Sequence, residues 1–298
     1  MTDRPLGFDT LCIHAATAPD PATGARQVPI YQTTAYVFRD ADHAAKLFNL
    51  QEVGYIYPRL TTPTVSALAN RVVALEGGAG GIACSSGHAA QIMALFPLMQ
   101  PGRNVVASTR LYGGTIQQFS NTIRKFGWSA RFVDFDDPKA IEKAIDGDTR
   151  ALFCETICNP GGAISDIDAI ARVADRAGIP LIVDNTTASP YLCRPIEHGA
   201  TIVVHSATKY LTGNGTVTGG IVVDSGTFNW SASDKFPSLS QPEPAYHGLV
   251  FHPTLGNMAY TFHSIAIGLR DLGMTMNPQG AHYTLMGIET LSLRMQRH

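Results

Sequence analysis

The chain has 298 residues, 45% of them hydrophobic and 15% charged, with a formal net charge of −2. That balance describes a soluble globular protein of roughly two domains with a large core, and the even mixing of acids and bases argues against a nucleic-acid partner or a membrane surface. No apolar run is long enough to span a bilayer, and the start, Met1-Thr-Asp-Arg-Pro, has no apolar signal region, so a cytoplasmic location is expected.

In chain order, residues 1–60 read as an irregular arm rich in proline, threonine and tyrosine, with one helix over 41–49. Such an arm, on a chain of low charge, is expected to wrap a partner subunit. Residues 61–256 read as an α/β domain. Strands are predicted over 104–108, 130–135, 150–155, 179–184, 201–205 and 219–224, and helices over 89–99, 115–126, 138–145 and 166–177. Continuous apolar strands alternating with helices predict a mostly parallel sheet covered by helices on both faces, with ligands at the carboxyl ends of the strands. Residues 226–256 read as a loop heavy in proline, serine and aromatics. Helical patterns at about 257–272 and 281–297 follow. The segment 257–298 is expected to lead into a C-terminal domain, because Leu291, Leu293 and Met295 make an apolar stripe that needs a cover.

Of the five cysteines (Cys12, Cys84, Cys154, Cys158 and Cys193), only Cys154 and Cys158 lie close in sequence. No second pair completes a zinc site, so buried thiols and no metal are expected. The run Gly78-Ala-Gly80-Gly-Ile-Ala83 matches a loose dinucleotide fingerprint, but it precedes a strand instead of following one and is set aside.

Functional groups gather at the predicted strand ends. Lys209 follows the strand at 201–205 across Ser206-Ala-Thr208, and Gly213, Gly215, Gly219 and Gly220 come after it. A lysine there, walled by glycines, is expected to be poorly hydrated, which favours the neutral amine that condenses with an aldehyde. Asp184 ends the strand at 179–184, where a carboxylate needs a cation or backbone amides. Tyr112, in Leu111-Tyr-Gly-Gly-Thr115, has glycine neighbours that leave its ring face open, and Asn159 precedes a Pro-Gly-Gly turn. Ser85-Ser86-Gly87-His88 precedes an apolar helix and reads equally as an anion site or as a helix cap. An amine, an acid, an open ring, an amide, a phosphate cradle and the hydroxyls of Ser206 and Thr208 together suit pyridoxal phosphate, with the acid facing the pyridine nitrogen.

The motifs Ser86-Gly87-His88, Leu111-Tyr-Gly-Gly, Val183-Asp-Asn-Thr and His205-Ser-Ala-Thr-Lys-Tyr resemble the cysteine/methionine-metabolism family of pyridoxal-phosphate enzymes, from Phe8 to His298. The segments 241–248 and 287–295 are most similar to the O-acetylhomoserine sulfhydrylases of that family. The resemblance implies the aspartate-aminotransferase-like fold type I, with a C-terminal domain of which this sequence holds only the beginning. It implies Lys209 as the cofactor lysine and proton shuttle, Asp184 at the ring nitrogen, Tyr112 stacked on the ring, and Gly87, His88, Ser206 and Thr208 at the phosphate. Tyr57 and Arg59 match a pair that reaches the phosphate of the neighbouring subunit, so dimers or tetramers with shared active sites are expected. Pro58, Thr62 and Asn214 depart from the family's usual residues, and its substrate-carboxylate arginine has no match here. The implied reaction is γ-replacement on O-acetylhomoserine by sulfide or a thiol, giving homocysteine or methionine plus acetate. The alternatives are a methionine or cystathionine γ-lyase, and a cofactor-binding homologue that turns over weakly because it ends at His298.

Overall fold

The computed structural model describes residues 6–298. The run Met1 to Pro5, on which the reading of the N-terminus rests, lies outside the described residues. Seven strands, β1 (Gly80–Cys84), β2 (Asn104–Ser108), β3 (Ser129–Val133), β4 (Thr149–Glu155), β5 (Leu181–Asp184), β6 (Ile202–Ser206) and β7 (Gly220–Asp224), form one sheet in the order β1-β7-β6-β5-β4-β2-β3. The five strands from β6 to β3 run parallel, and β7 is antiparallel to both neighbours. Every residue of β2 and of β4 is buried, as their unbroken apolar runs require of strands covered on both faces.

Two helices show the layering. α3 (Pro63–Glu76) starts where the Thr62 hydroxyl accepts from Val65 N, with Pro63 at its first position, and ends at Gly77 in the left-handed region, φ 77°. Asparagine and threonine both serve as N-caps, so the departure at Thr62 keeps the local function. α4 (Gly87–Leu95) is capped by Ser86, whose hydroxyl accepts from Ala89 N. His205 of β6 reaches Glu76 at the end of α3, while the next residue, Ser206, lies against Gly87 of α4. Successive strand side chains point to opposite faces, so α3 and α4 cover opposite faces of the sheet.

The six predicted strands are present with ends shifted by up to two residues. β1 replaces the expectation that the run at 78–83 lies before a strand: Gly80 and Gly81 are strand residues paired with Asp224 and Val223. Glycine weakens the strand signal, and β1 is held by its partner β7. The helix predicted over 115–126 is three pieces, an α-helical Gly113–Gln117, a π-helical Gln118–Thr122 and a 3-10 turn Ile123–Phe126. The pattern at 257–272 is likewise interrupted by a π-helical Ser264–Leu269, and that at 281–297 is two helices, Pro278–Ile288 and Leu291–Arg297.

The N-terminal arm carries a helix, α1 (Phe8–His14), beyond the expected one, α2 (Ala41–Phe48). This first helix packs between α3 and the helix Leu291–Arg297, which corrects the expectation that the last helix needs a further domain as cover. Leu291 and Met295 are buried within this chain, and only Leu293 is exposed. The buried Arg71 of α3 ties the first helix down, donating to Ala15 O (2.6 Å), Cys12 O (2.5 Å) and Thr17 Oγ1 (2.9 Å). Among the described residues no helix is long and apolar enough to cross a membrane.

Candidate functional site

The carboxyl ends of β2, β4, β5 and β6 and the start of α4 surround a cavity of about 360 Å³. Its wall includes nine of the residues singled out from the sequence: Ser86, Gly87, His88, Tyr112, Asn159, Asp184, Ser206, Thr208 and Lys209. Tyr57 and Arg59 do not line it; the Arg59 guanidinium lies 5.2 Å from the Tyr57 ring centre, and Tyr57 is itself a little under half exposed.

The acid is firmly held. Asp184 Oδ1 accepts from Thr186 N (3.0 Å) and Thr186 Oγ1 (2.5 Å), and its Oδ2 accepts from Gln91 Nε2 (3.2 Å). Gln91 Nε2 also donates to Thr115 Oγ1, leaving Gln91 Oε1 buried without a partner. The Thr186 hydroxyl in turn accepts from Ser206 N at 2.7 Å, which couples the end of β5 to the turn carrying the lysine. The Tyr112 ring is half exposed and meets the His88 ring edge-on at 5.9 Å.

The start of α4 is a helix cap, one of the two readings the sequence left open. Ser86 caps the helix, and the amides of Gly87 and His88 have no intrahelical partner by position. A Cβ added at Gly87 would sit 2.7 Å from Ser206 Cβ, so only glycine lets the helix start come this close to β6. The Thr208 hydroxyl is engaged by Gly219, accepting from its N at 3.0 Å and donating to its O at 3.3 Å.

One expectation about Lys209 is overturned. Its side chain is exposed in this chain, not desolvated. Gly213, read as a wall of the cofactor pocket, instead makes room for Arg294, since a Cβ there would lie 2.4 Å from the Arg294 guanidinium. That guanidinium donates to Tyr210 O (2.8 Å) and Gly287 O (2.7 Å).

Gln91, Glu155, Thr186, Thr187 and Thr218 also line the cavity and were not singled out from the sequence. Glu155 had a signal, because it ends an apolar strand just as Asp184 does. Gln91 lies one helical turn after Gly87 and so returns to the same face of α4.

The model of the family described as "Cys/Met metabolism PLP-dependent enzyme" matches residues 9–298. The chain belongs to this family of pyridoxal-phosphate-dependent enzymes. It is 50% identical to a homocysteine synthase of Schizosaccharomyces pombe over 98% of this chain and 68% of that protein. It is 47% identical to an O-acetyl-L-homoserine sulfhydrylase of Leptospira meyeri over 97% of this chain and 67% of that protein. A solved structure of a putative O-acetylhomoserine (thiol)-lyase from Campylobacter jejuni, which carries a pyridoxyl-lysine phosphate, superposes with a TM-score of 0.94 at 42% identity, covering 97% of this chain and 72% of that one. The chain thus spans about two thirds of the length of the curated relatives it matches. The family's fold type I accounts for the mostly parallel sheet and the site at its carboxyl edge.

The cavity fits the family's cofactor on its own chemistry. It offers a primary amine, a buried carboxylate, an open aromatic ring, and a cradle of helix amides and hydroxyls that the absence of a Cβ at Gly87 lets come close together.

Proposed function

We propose that the chain catalyses γ-replacement on O-acetylhomoserine, in which the Cγ–O bond breaks, acetate leaves, and sulfide or a thiol forms the new Cγ–S bond. One observation carries the reading: Lys209 and Asp184 wall the same cavity in a chain close to half identical, over nearly its whole length, to proteins named for this chemistry. Bound pyridoxal phosphate supplies an electron sink for the charge left when a proton leaves Cα. Asp184, fixed by Gln91 and Thr186, would face the pyridine nitrogen and favour its protonated form. The amides at the start of α4, with Ser206 and Thr208, would hold the phosphate, Tyr112 would stack on the ring, and the Asn159 amide would bond the ring's oxygen. Lys209 would carry the cofactor and move protons at Cα and Cβ; exposed as it is in this chain, it needs a cover from substrate or from a partner subunit to work in a dry site.

The same reading takes residues 1–60 as an arm for a second copy, 61–256 as the cofactor domain and 257–298 as the lead into a further domain, with Tyr57 and Arg59 completing the neighbour's site. Five free cysteines, four of them buried, suit a reducing compartment such as the cytoplasm. The test is to supply the protein with pyridoxal phosphate, O-acetylhomoserine and sulfide and to follow homocysteine and acetate. Stoichiometric formation of both, lost at least about a hundredfold in Lys209→Ala, is expected. Ammonia and a keto acid in their place would make the chain a γ-lyase, and a preference for the succinyl ester would change the substrate.

A further inference from the structure

We infer that Glu155 is a positioning residue of the cofactor site, a single buried carboxylate that clamps together the two loops carrying Tyr112 and Asn159. One oxygen, Oε1, accepts from Tyr112 N at 2.6 Å; the other, Oε2, accepts from Asn159 N at 3.0 Å. The first loop leaves β2 and the second leaves β4, neighbouring strands whose onward connections run in opposite directions, to β3 on one side and to β5 on the other. The chain therefore splays apart at this point, which opens the crevice where ligands sit in such sheets. No strand hydrogen bond joins the two loops beyond the strand ends, and the carboxylate bridges the gap.

The site is built, not incidental. Glu155 is 5% exposed and sits beside Asp184 in register on the next strand. Burial pushes its carboxyl up to about 7, the nearby Asp184 charge adds to that, and the two backbone amides pull the other way. Its backbone is anchored as well, since Glu155 O accepts from Ser165 Oγ at 2.7 Å. A glutamine in its place has one acceptor oxygen for two amides, so one loop would face an NH₂ donor with its own N–H.

The inference rests on the cavity being the cofactor site with Tyr112 against the ring, and not on which homoserine ester is the substrate. Its test is a mutant cycle on pyridoxal-phosphate affinity, read by the cofactor's absorbance. Glu155→Gln is expected to weaken binding about tenfold or more. In a background carrying both Tyr112→Ala and Asn159→Ala the same substitution is expected to cost less than about threefold, because neither loop it positions still contributes its side chain to the cofactor. Equal losses in both backgrounds, or unchanged affinity in Glu155→Gln, would overturn the clamp. Should Glu155→Gln fail to fold, hydrogen exchange of the wild-type protein decides: slow exchange at Tyr112 N and Asn159 N relative to Gly113 N and Gly161 N supports the clamp, and equal exchange refutes it. Failure of the wild type itself to bind pyridoxal phosphate would instead remove the reading of the cavity.

Discussion

Thr186 spends one hydroxyl on two strands: it donates to Asp184 Oδ1 and accepts from Ser206 N. Thr186→Val is isosteric but breaks both bonds and leaves the Ser206 amide without its acceptor, at a cost of about 1–3 kcal/mol. Thermal melting should show that loss and cofactor affinity should fall with it, whereas Thr186→Ser should restore most of both; a valine variant as stable as the wild type would mean that the amide finds another partner. Residues such as Thr186, Gln91 and Glu155 mark the limit of what the sequence discloses at this scale. Lys209, Asp184, Tyr112 and Ser206 could be read because each stands at the end of a recognisable apolar strand or in a glycine-flanked turn. The others act by bonding to groups that only the folded sheet brings near, Gln91 to Asp184 across 93 residues of chain. The exposure of Lys209 was illegible for the same reason: hydration depends on what covers a strand end, and no local pattern encodes the cover.

At the scale of elements, the apolar strands were legible because a parallel strand buried on both faces has one signature. The helix Phe8–His14 was missed although Phe8, Leu11 and Cys12 have helical spacing. Seven residues are too few to be stable alone, and what holds this turn is Arg71 in α3, which serves carbonyls 56 and 59 residues earlier in the chain. Those bonds come from a charged donor, and burial draws the Arg71 guanidinium below its ordinary range without removing its charge. Arg71→Ala should therefore destabilise the protein by about 3 kcal/mol or more, since hydrogen bonds from a charged group contribute about 1.5–3 kcal/mol each and are not additive. Urea denaturation would measure the loss, and limited proteolysis should cut first near residues 15–17. Arg71→Lys keeps the charge without the fork and should fall between the two. An alanine variant within about 0.5 kcal/mol of the wild type would show that the apolar contact of this first helix with the last one is sufficient.

For the whole molecule, the pH dependence of stability carries a mark of Asp224. This carboxyl is buried at the end of β7 with Oδ2 unpartnered, and burial pushes it up to about 7, against the pull of the Gly226 amide on Oδ1. Its folded pKa lies above the unfolded one, so its contribution is most favourable at acid pH and is lost as pH rises from about 4 to about 7. Asp224→Asn keeps an acceptor for Gly226 and removes the titration. The stability gained by the variant over the wild type should grow across that window and level off above it at about 1–4 kcal/mol. Other titrating groups cancel in the difference, including His263, which burial holds down at about 4. A difference that does not vary with pH would mean that Asp224 is already ionised at acid pH in the folded protein.

The arm bears on the size of the working unit. Val37 is 98% exposed and Val53 82%, and Phe48 and Tyr57 are also exposed, so this stretch buries little apolar surface on its own chain. Apolar surface gains free energy only when something covers it, and a second copy of the chain is the cover that would also bring Tyr57 and Arg59 to a cavity they do not line in their own subunit. In that arrangement each site takes Lys209 from one subunit and Arg59 from the other. Arg59→Ala and Lys209→Ala are then each inactive alone for different reasons. Mixed and allowed to exchange, half the dimers would be hybrids, and one of the two sites in each hybrid would be fully wild type, so activity should recover to about a quarter of the wild-type value. Recovery is read with the homocysteine assay, and subunit exchange is verified independently by native mass measurement of differently tagged chains. Proven exchange without recovery would confine each site to one subunit, and the open apolar face of the arm would then need a different occupant.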